Sequence, residues 1–469
     1  MTLFGLTRGM ATAALALAAA NAAFAQEVQT KQYDDGGVYE GTFVDGKQDG
    51  TGTYTLPNGY TYTGEWVAGE IRGQGRAEFP NGSVYEGEFA AGKPEGTGRI
   101  TFADGGTYEG DWTDGNITGS GIANYANGVT YQGEFRNAMH HGQGTMTGPD
   151  GYVYTGTWVD GVKEGQGTIT YPDGATYEGE LQGGERHGQG TMTMADGLVY
   201  SGTWVDGDIE GEGTLTQPNG DVYEGALVDG RREGEGRVTY ANGDVYEGQF
   251  ANDRRHGTGT FTGADGYTYT GDWEEGRIQG EGEVTYPDGS VYVGSFVADV
   301  ADGTGKITYP DGSTYEGEWT GGVINGAGLA TYANGLIYEG DFVNGKNEGQ
   351  GKMTYPDGYT YEGAWADGQR NGEGTATYAD GTVYVGEFRD GQRHGTGKIT
   401  LPDGFTYEGE WSEGEINGEG IATYANGDVY EGSFVSGRRE GEGTMRYASG
   451  QERSGTWEDG EYVVEGEDG

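Results

Sequence analysis

The sequence predicts an all-β fold: an elongated, single-layer antiparallel meander of about 18 stacked β-hairpins, forming a twisted ribbon or trough. Three observations predict it. A pattern of tyrosine, glycine and a large apolar ring recurs every 23 residues without insertion or deletion, which is typical of repeat architectures. Residues within each copy alternate with a period of two, as half-buried strands do. Pairs of Asp or Asn with glycine separate these stretches and favour tight hairpin turns.

Copy thirteen, which begins at Tyr315, illustrates the repeat. Gly317 and Trp319 follow at spacings of two and four, so the three residues share one face of the first predicted strand. All nine tryptophans of the chain occupy the position of Trp319, which a disordered tract would have no reason to show. The other repeat residues of this copy are Gly322, Gly326 and Gly328, preceded by the turn residues Asp311 and Gly312. The copies begin at Tyr39, Tyr62, Tyr85, Tyr108, Tyr131, Tyr154, Tyr177, Tyr200, Tyr223, Tyr246, Tyr269, Tyr292, Tyr315, Tyr338, Tyr361, Tyr384, Tyr407 and Tyr430.

Each copy contains two predicted strands and two turns. The second strand of copy thirteen is predicted over Gly326–Tyr332, with alternate residues from Gly326 onward on one face. The first turn has the form Asp45-Gly46-Lys47, and the second has the form Pro310-Asp311-Gly312. Asp and Asn before glycine tolerate the positive φ that tight hairpin turns require. The first-turn pattern is broken at Ala138, Asp253 and Asp299, which we interpret as sequence drift or as kinks.

The regular glycines pose a packing problem, because a strand glycine weakens a sheet unless a neighbouring side chain covers it. We expect the tyrosine and tryptophan or phenylalanine rings to lie across glycines of neighbouring strands. Such packing buries rings against bare backbone in a sheet that has no second layer. An alternative is that part of the trough stays open and takes an apolar or sugar ligand.

The charge of the chain narrows the range of partners. A formal net charge of −49 excludes nucleic acid as a partner and disfavours contact with anionic membranes. Glutamate follows the tyrosine in 11 of the 18 copies, so we expect rows of carboxylates on the face opposite the rings. These rows could bind calcium or other divalent ions diffusely. We predict no other cofactor and no defined metal site.

The N-terminal residues resemble a secretory signal peptide, predicted over residues 1–25. Arg8 precedes the apolar run Met10–Ala20, and Ala23-Phe24-Ala25 forms a cleavage motif, so cleavage is predicted between Ala25 and Gln26. An uncleaved membrane anchor is the alternative. After cleavage the predicted organisation is a lead-in with a partial strand over 26–38, eighteen repeats over 39–450, and a degenerate capping repeat with an acidic tail over 451–469. We therefore expect export to the periplasm or the extracellular space, with peripheral attachment to an envelope membrane left open.

No constellation of catalytic residues interrupts the repeats, so we predict that the protein is not an enzyme. Four of the five histidines, among them His141 and His394, stand before a glycine in the predicted turn after the first strand, and we interpret them as turn residues. The sequence contains no phosphate-binding loop, zinc-protease motif or nucleophile elbow. It also lacks the ligand spacing of a calcium-binding loop.

Several features together resemble the MORN (membrane occupation and recognition nexus) repeat. The stretch Tyr384–Gly397 carries its tyrosine, glycine, acidic residue and ring, followed by paired glycines, and the resemblance covers residues 39–450. The resemblance implies stacked β-hairpins and a role in scaffolding or in membrane association, often through phospholipid. Some relatives join these repeats to phosphatidylinositol phosphate kinase domains, but the repeats leave no room for one here.

These observations predict a non-enzymatic repeat scaffold or binding protein of the bacterial envelope, which mediates interactions between proteins or between protein and envelope. The alternative is a peripheral phospholipid- or glycan-binding protein that depends on divalent ions. The predicted partner is an unidentified protein or envelope component. Self-association through the ends of the sheet is left open.

Overall fold

The computed structural model describes residues 27–464, which divide into two compact units with their boundary between Ala195 and Asp196. Within these residues every regular element is a β-strand and none is a helix. The predicted cleavage site at Ala25 and Gln26 lies outside the described residues.

The first unit contains strands β1 to β15, and each strand pairs antiparallel with the next. No second layer of regular structure covers the sheet in the described part of this unit. The strands are β1 Gln29–Gln32, β2 Val38–Val44, β3 Lys47–Thr55, β4 Thr61–Val67, β5 Glu70–Glu78, β6 Val84–Ala90, β7 Lys93–Thr101, β8 Thr107–Thr113, β9 Asn116–Asn124, β10 Thr130–Arg136, β11 Met139–Thr147, β12 Val153–Val159, β13 Val162–Thr170, β14 Thr176–Gln182 and β15 Glu185–Thr193.

The second unit continues the same pattern with strands β16 to β39, again with each strand antiparallel to the next. The predicted all-β meander of hairpin repeats is therefore confirmed within each unit. The strands are β16 Val199–Val205, β17 Asp208–Thr216, β18 Val222–Val228, β19 Arg231–Thr239, β20 Val245–Ala251, β21 Arg254–Thr262, β22 Thr268–Glu274, β23 Arg277–Thr285, β24 Val291–Val297, β25 Val300–Thr308, β26 Thr314–Thr320, β27 Val323–Thr331, β28 Ile337–Val343, β29 Lys346–Thr354, β30 Thr360–Ala366, β31 Gln369–Thr377, β32 Val383–Arg389, β33 Gln392–Thr400, β34 Thr406–Ser412, β35 Glu415–Thr423, β36 Val429–Val435, β37 Arg438–Arg446, β38 Glu452–Glu458 and β39 Glu461–Tyr462.

The second strand of each hairpin is longer than predicted. In copy thirteen β27 begins at Val323, three residues before the predicted start, and ends at Thr331, so Tyr332 belongs to the following turn. The strand starts early because the first turn has only two central residues. A bulge then adds two residues to β27, between the partners of Gly317 and Trp319. Gly326 lies in this bulge with φ of 88°, a left-handed conformation that favours glycine.

The first turn of each hairpin places both central residues at positive φ. Asp45 has φ of 52° and Gly46 has φ of 80°, the geometry of a type I′ turn. The departures from the turn pattern produce no kink, because Ala138, Asp253 and Asp299 adopt φ of 60°, 67° and 74° at the glycine position. These positions therefore keep the turn and accept backbone strain, as expected for sequence drift.

The second turn uses its Asp or Asn differently from the prediction. Only Gly312 has positive φ in this turn, with a value of 87°. Asp311 instead accepts a hydrogen bond through Oδ1 from the backbone N–H of Ser313, at 2.8 Å. The N–H of Gly312 donates to the carbonyl of Tyr309 at 2.9 Å, and the N–H of Tyr309 donates to the carbonyl of Ser313 at 2.8 Å. The acidic side chain thus stabilises the turn by accepting a backbone N–H.

The strained turn at Ala138 provides a test of local stability. Replacing Ala138 by glycine should stabilise the β10–β11 hairpin by about 0.5–1 kcal/mol, because relief of left-handed strain outweighs the added chain entropy. Hydrogen exchange followed by mass spectrometry should show slower amide exchange in β10 and β11. Gly161→Ala, at the equivalent position of the next repeat with φ of 88°, is the matched control and should accelerate exchange locally. Unchanged exchange in both variants would contradict the strain argument.

Candidate binding surfaces

One face of the sheet is closed by a ladder of rings. The eighteen repeat tyrosines are only 0–3% exposed. In copy thirteen the Tyr315 ring packs edge-to-face against Trp319, at 5.6 Å between centroids, and against Phe342 of the next copy, at 5.1 Å. The Tyr315 hydroxyl donates to the carbonyl of Glu318 at 3.0 Å, and Trp319 Nε1 donates to the carbonyl of Gly305 at 3.2 Å. The rings therefore bury their apolar surface while their polar atoms bind backbone.

The tyrosine ring occupies the space that side chains of two paired glycines would need. Gly317 and Gly328 lie opposite each other in β26 and β27. A Cβ on Gly328 would lie 2.4 Å from Cε2 of Tyr315, and a Cβ on Gly317 would lie 2.5 Å from the Tyr315 hydroxyl. Tyr315, Gly317, Trp319 and Gly328 are thus brought together as one packing unit. Gly322 lies in the first turn at one sheet edge, and Asp311 and Gly312 lie in a second turn.

In several copies a large side chain near the start of the second strand covers these rings from outside. The guanidinium carbon of Arg255 lies 4.1 Å from the ring centroid of Trp273, and that of Arg439 lies 4.4 Å from Trp457. His140 takes this place in copy five and stacks on Tyr131 at 3.8 Å, and its burial lowers the pKa of its imidazole. Because the repeat rings are sealed, an open trough of these rings is ruled out as a ligand site.

The predicted position of the histidines was wrong. His141 lies within β11, not in the turn, and its Nδ1 is 3.5 Å from the backbone N of Asp160. The same repeat position holds Asn325, whose Oδ1 accepts from the N–H of Asn344 at 3.1 Å. Side chains at this repeat position accept hydrogen bonds from backbone N–H groups in the first turn of the next hairpin. The sequence signal for this acceptor role is the recurrence of Asp, Glu, Asn, Gln or His directly before the first glycine of the second strand.

A second acidic position has the same kind of role. Asp111, directly after the strand glycine, accepts through Oδ2 from the backbone N–H of Ser120 at 2.8 Å, across the bulge. Glu387 accepts in the same way from the backbone N–H of Thr396. Hydrogen bonds from the backbone and the side chain of Thr396 lower the pKa of the Glu387 carboxyl. Three positions of the repeat therefore accept backbone N–H groups where they hold an acidic or amide residue, counting the Asx of the second turn.

The face opposite the rings carries open grooves. In the first unit a groove of about 1000 Å³ crosses the sheet from Gln74 to Thr155. Its side chains include Glu86, Arg99 and the exposed Ile122, and paired glycine backbone forms its floor. We call this face, with its counterpart in the second unit, the polar groove.

The counterpart in the second unit has a volume of about 740 Å³ and lies between Glu316 and Gly363. Leu329 lies in it with 41% of its surface exposed. Cations alternate with the carboxylates, so Lys306 pairs with Glu316 at 3.2 Å. The other facing pairs of this kind, with their nitrogen–oxygen distances, are Lys398–Glu408 at 3.0 Å, Arg76–Glu86 at 3.2 Å, Lys352–Glu362 at 3.6 Å and Arg237–Glu224 at 4.0 Å. The expected continuous carboxylate row is therefore a mixed row of both charges.

A separate row of aromatic side chains follows the second turns of the second unit. Tyr309 and Tyr332, each the first residue of its turn, are 37% and 39% exposed, unlike the sealed repeat tyrosines. Where glycine or leucine precedes the turn, at Gly263 and Leu401, the ring instead comes from the residue just after it. We call this row the aromatic edge, and its eleven members are Tyr240, Tyr267, Tyr286, Tyr309, Tyr332, Tyr355, Tyr359, Tyr378, Phe405, Tyr424 and Tyr447.

Metal and membrane features were sought among residues 27–464. In this part of the chain no three potential ligands from His, Cys, Asp and Glu are grouped closely enough to hold a metal ion. The described residues also contain no helix with the length and hydropathy that a membrane crossing requires.

Comparison with known families identifies one matching model. The model of the MORN repeat matches eighteen successive segments, from residues 39–59 to residues 430–452. Together these segments cover most of the chain. No curated protein matches it.

The solved structures that match the chain share little sequence with it. The TCP10 domain of Danio rerio CPAP in complex with a peptide of STIL is 16% identical, with a TM-score of 0.20, covering 57% of this chain and 93% of that one. The TCP domain of Drosophila melanogaster SAS-4 with a proline-rich motif of Ana2 is 16% identical, with a TM-score of 0.17 and coverage of 48% and 90%. A virginiamycin B lyase from Staphylococcus aureus is 10% identical, with a TM-score of 0.11 and coverage of 70% and 100%. At these TM-scores the likenesses carry no weight for function.

The sealed tyrosines should make the fold sensitive to alkali. Burial raises the pKa of Tyr62, Tyr108 and Tyr315 to about 12, above the value near 10 of an unfolded tyrosine. Their contribution to stability is therefore complete below pH 10 and is lost as the pH rises from about 10 to about 12. Tyrosinate absorbance and circular dichroism should show these tyrosines ionising together with loss of the sheet. Protein in urea, titrating near pH 10, is the control. Ionisation near pH 10 with an intact sheet would contradict the burial argument.

Proposed function

The chain belongs to the MORN repeat family, and we propose that it is a non-enzymatic scaffold that binds a protein partner along the polar groove. The observation that carries the proposal concerns the face opposite the rings. This face combines an open groove, side chains of both charges and exposed apolar side chains. The ring face offers no such surface at its sealed repeat rings. The family assignment supports a scaffold or binding role and leaves the partner open.

The chemistry of the polar groove favours a partner with alternating charges and apolar anchors. Ile122 and Leu329 lie among charged neighbours on the groove surface. An apolar centre within a polar rim is the usual anatomy of a protein interface. The exposed ion pairs contribute little stability to the free protein, so a partner can rearrange them at small cost.

The repeat itself supports a scaffolding role. Grooves of the same composition occur in both units, so the chain can engage several copies of a partner or several segments of one partner. Linked weak contacts of this kind raise overall affinity without any single strong site. The formal net charge of −49 opposes an anionic lipid surface as the alternative.

Replacing Leu329 by aspartate should weaken partner binding by about tenfold, because it puts an unpaired charge where an apolar contact forms. The immobilised chain is used to capture proteins from an envelope extract. The proteins retained by the unaltered chain and by the Leu329→Asp variant are compared by quantitative mass spectrometry. The affinity of any purified partner for both chains is then measured directly.

Val343→Asp is the matched control for this experiment. Val343 is similarly exposed, at 47%, and lies at the end of β28 on the same face, outside the residues that line the groove around Leu329. A partner retained by this variant and lost with Leu329→Asp supports the proposal. Equal retention by both variants would argue that binding occurs elsewhere.

We also propose that the protein is exported to the periplasm or beyond after removal of residues 1–25. The support is the sequence pattern of Arg8, the apolar run Met10–Ala20 and the motif ending at Ala25. An exported, strongly acidic chain would remain soluble despite its many strands.

The export proposal predicts a mature chain that begins at Gln26. Mass spectrometry of protein from cell fractions should find this N-terminus outside the cytoplasm. Ala23→Leu and Ala25→Leu together should block processing, because large side chains do not fit the small-residue positions of the cleavage motif. A chain that retains residues 1–25 and stays in the cytoplasm would overturn the proposal.

A further inference from the structure

Copy four, which begins at Tyr108, departs from the other repeats just after its first turn. The stretch Asp114–Thr118 reads Asp-Gly-Asn-Ile-Thr. Among the eighteen copies Asn116 is the only asparagine at the first position of the second strand, and Thr118 is the only hydroxyl residue directly before the first glycine of that strand. Together the two residues form an Asn-x-Thr motif, which is the acceptor pattern for attachment of a glycan to asparagine.

The internal duplication of the chain shows that the hairpin forms without this motif. Copies ten to eighteen align with copies one to nine, so copy thirteen is the counterpart of copy four. Strands β9 and β27 have the same length, and the first residue of the preceding turn has φ of 51° in one copy and 56° in the other. From the repeat tryptophan to the first glycine of the second strand the two copies differ only where Gly321, Val323 and Asn325 replace Asp114, Asn116 and Thr118.

The threonine of the motif does not perform the structural role of its repeat position. Asn325 accepts there from the backbone N–H of Asn344 at 3.1 Å, and Glu95 accepts from the N–H of Asp114 at 2.8 Å. In the part of the chain that the structure describes, the Thr118 side chain makes no such bond to the next turn. Packing and turn formation therefore do not explain the threonine, whereas the motif requires a hydroxyl two residues after the asparagine.

The acceptor asparagine is exposed at the edge of the sheet. Asn116 closes the hairpin opposite Thr113, and its side-chain amide donates to the carbonyl of Asp114 at 3.4 Å, a long and therefore weak bond. The Asp114 side chain keeps 74% of its surface in solvent and pairs with Lys93 at 2.6 Å. A glycan on the amide nitrogen would extend from this edge into solvent. The folded sheet can therefore carry the modification without repacking.

A second Asn-x-Ser motif in the first unit provides an internal comparison. Asn81 lies in a second turn, where its Oδ1 accepts from the backbone N–H of Ser83 at 3.0 Å. Ser83 is only 4% exposed, so its hydroxyl is withdrawn from the surface. Phe79 stands two residues before Asn81, at the place that Asp114 takes before Asn116. Only the motif of copy four has an exposed carboxylate beside it, which a cationic group of a transferase can bind.

We propose that Asn116 is the acceptor of an oligosaccharide that is transferred from a lipid-linked diphosphate donor outside the cytoplasm. The proposal rests on the export part of the proposed function and is independent of the polar groove. In the transfer, Nδ2 of Asn116 forms a bond to the anomeric carbon of the first sugar. The bond from that carbon to the diphosphate oxygen breaks, the lipid diphosphate leaves with the bonding electrons, and the amide proton passes to a base of the transferase.

Mass spectrometry of the chain purified from the cells that produce it tests the proposal. Trypsin separates the two motifs, because cleavage after Arg76, Arg99 and Arg136 places Asn81 and Asn116 in different peptides. We expect an oligosaccharide on the peptide over residues 100–136 and none on the peptide that contains Asn81.

Substitutions within the motif separate acceptor chemistry from folding. Asn116→Gln and Thr118→Ala should abolish the modification, whereas Thr118→Ser keeps the hydroxyl and should retain it. Asp114→Asn keeps a residue that tolerates positive φ but removes the carboxylate, and should lower occupancy by about tenfold. Circular dichroism should show an intact sheet in all four variants.

The duplicated copy allows the motif to be installed at a matched site. Val323 is 41% exposed at the position equivalent to Asn116. Gly321→Asp/Val323→Asn/Asn325→Thr should add a second glycan, on copy thirteen. The matched control, Gly321→Asp/Val323→Asn/Asn325→Ala, lacks the hydroxyl and should stay unmodified there.

The same samples distinguish failure of this proposal from failure of export. A chain that begins at Gln26 and carries no glycan on Asn116 would overturn the proposal while export stands. A chain that retains residues 1–25 in the cytoplasm would overturn both. Modification of Asn81 in place of Asn116, or an unchanged glycan in the Thr118→Ala variant, would also overturn the assignment of the acceptor.

Discussion

The whole structure depends on one contact, in which a tyrosine ring covers a pair of facing glycines. A single sheet has no second layer to bury its apolar face, so the ring must find its packing surface on the same sheet. The Tyr315 ring lies where side chains on Gly317 and Gly328 would be, and its hydroxyl binds the backbone. The next hairpin adds its own ring against the first, so each repeat completes the burial of its neighbour.

The many acidic residues of the chain have a structural role in addition to their effect on solubility. A long meander has many turns and bulges, and each leaves backbone N–H groups outside the strand ladder. Asp311 in the second turn, Asp111 beside the bulge and Asn325 against the next turn each accept one of these N–H groups. Carboxylates are strong acceptors for this purpose. The acidic side chains at these positions are therefore held in place by the backbone.

Sequence reasoning succeeded for the hairpins and failed for several details of their connections. The period of 23 residues and the fixed phase of the rings predicted strand order, pairing and the buried face. The start of β27 and the place of His141 were misassigned, because a two-residue turn and a bulge are indistinguishable from a longer loop in the sequence pattern. The role of Asp311 was also misassigned, since its effect comes from a side-chain hydrogen bond and not from its own φ.

The sequence by itself determined the repeating hairpin, since period, alternation and Asx–glycine turns depend only on neighbours within one copy. The tertiary structure decided which surfaces are sealed and which are open. Tyr315 is closed by residues of its own copy and by Phe342 of the next, whereas Tyr309 and Leu329 stay exposed. Alternation assigns side chains to faces but does not reveal whether a face is covered. Coverage depends on side chains from adjacent hairpins, and therefore on the register that the bulge sets.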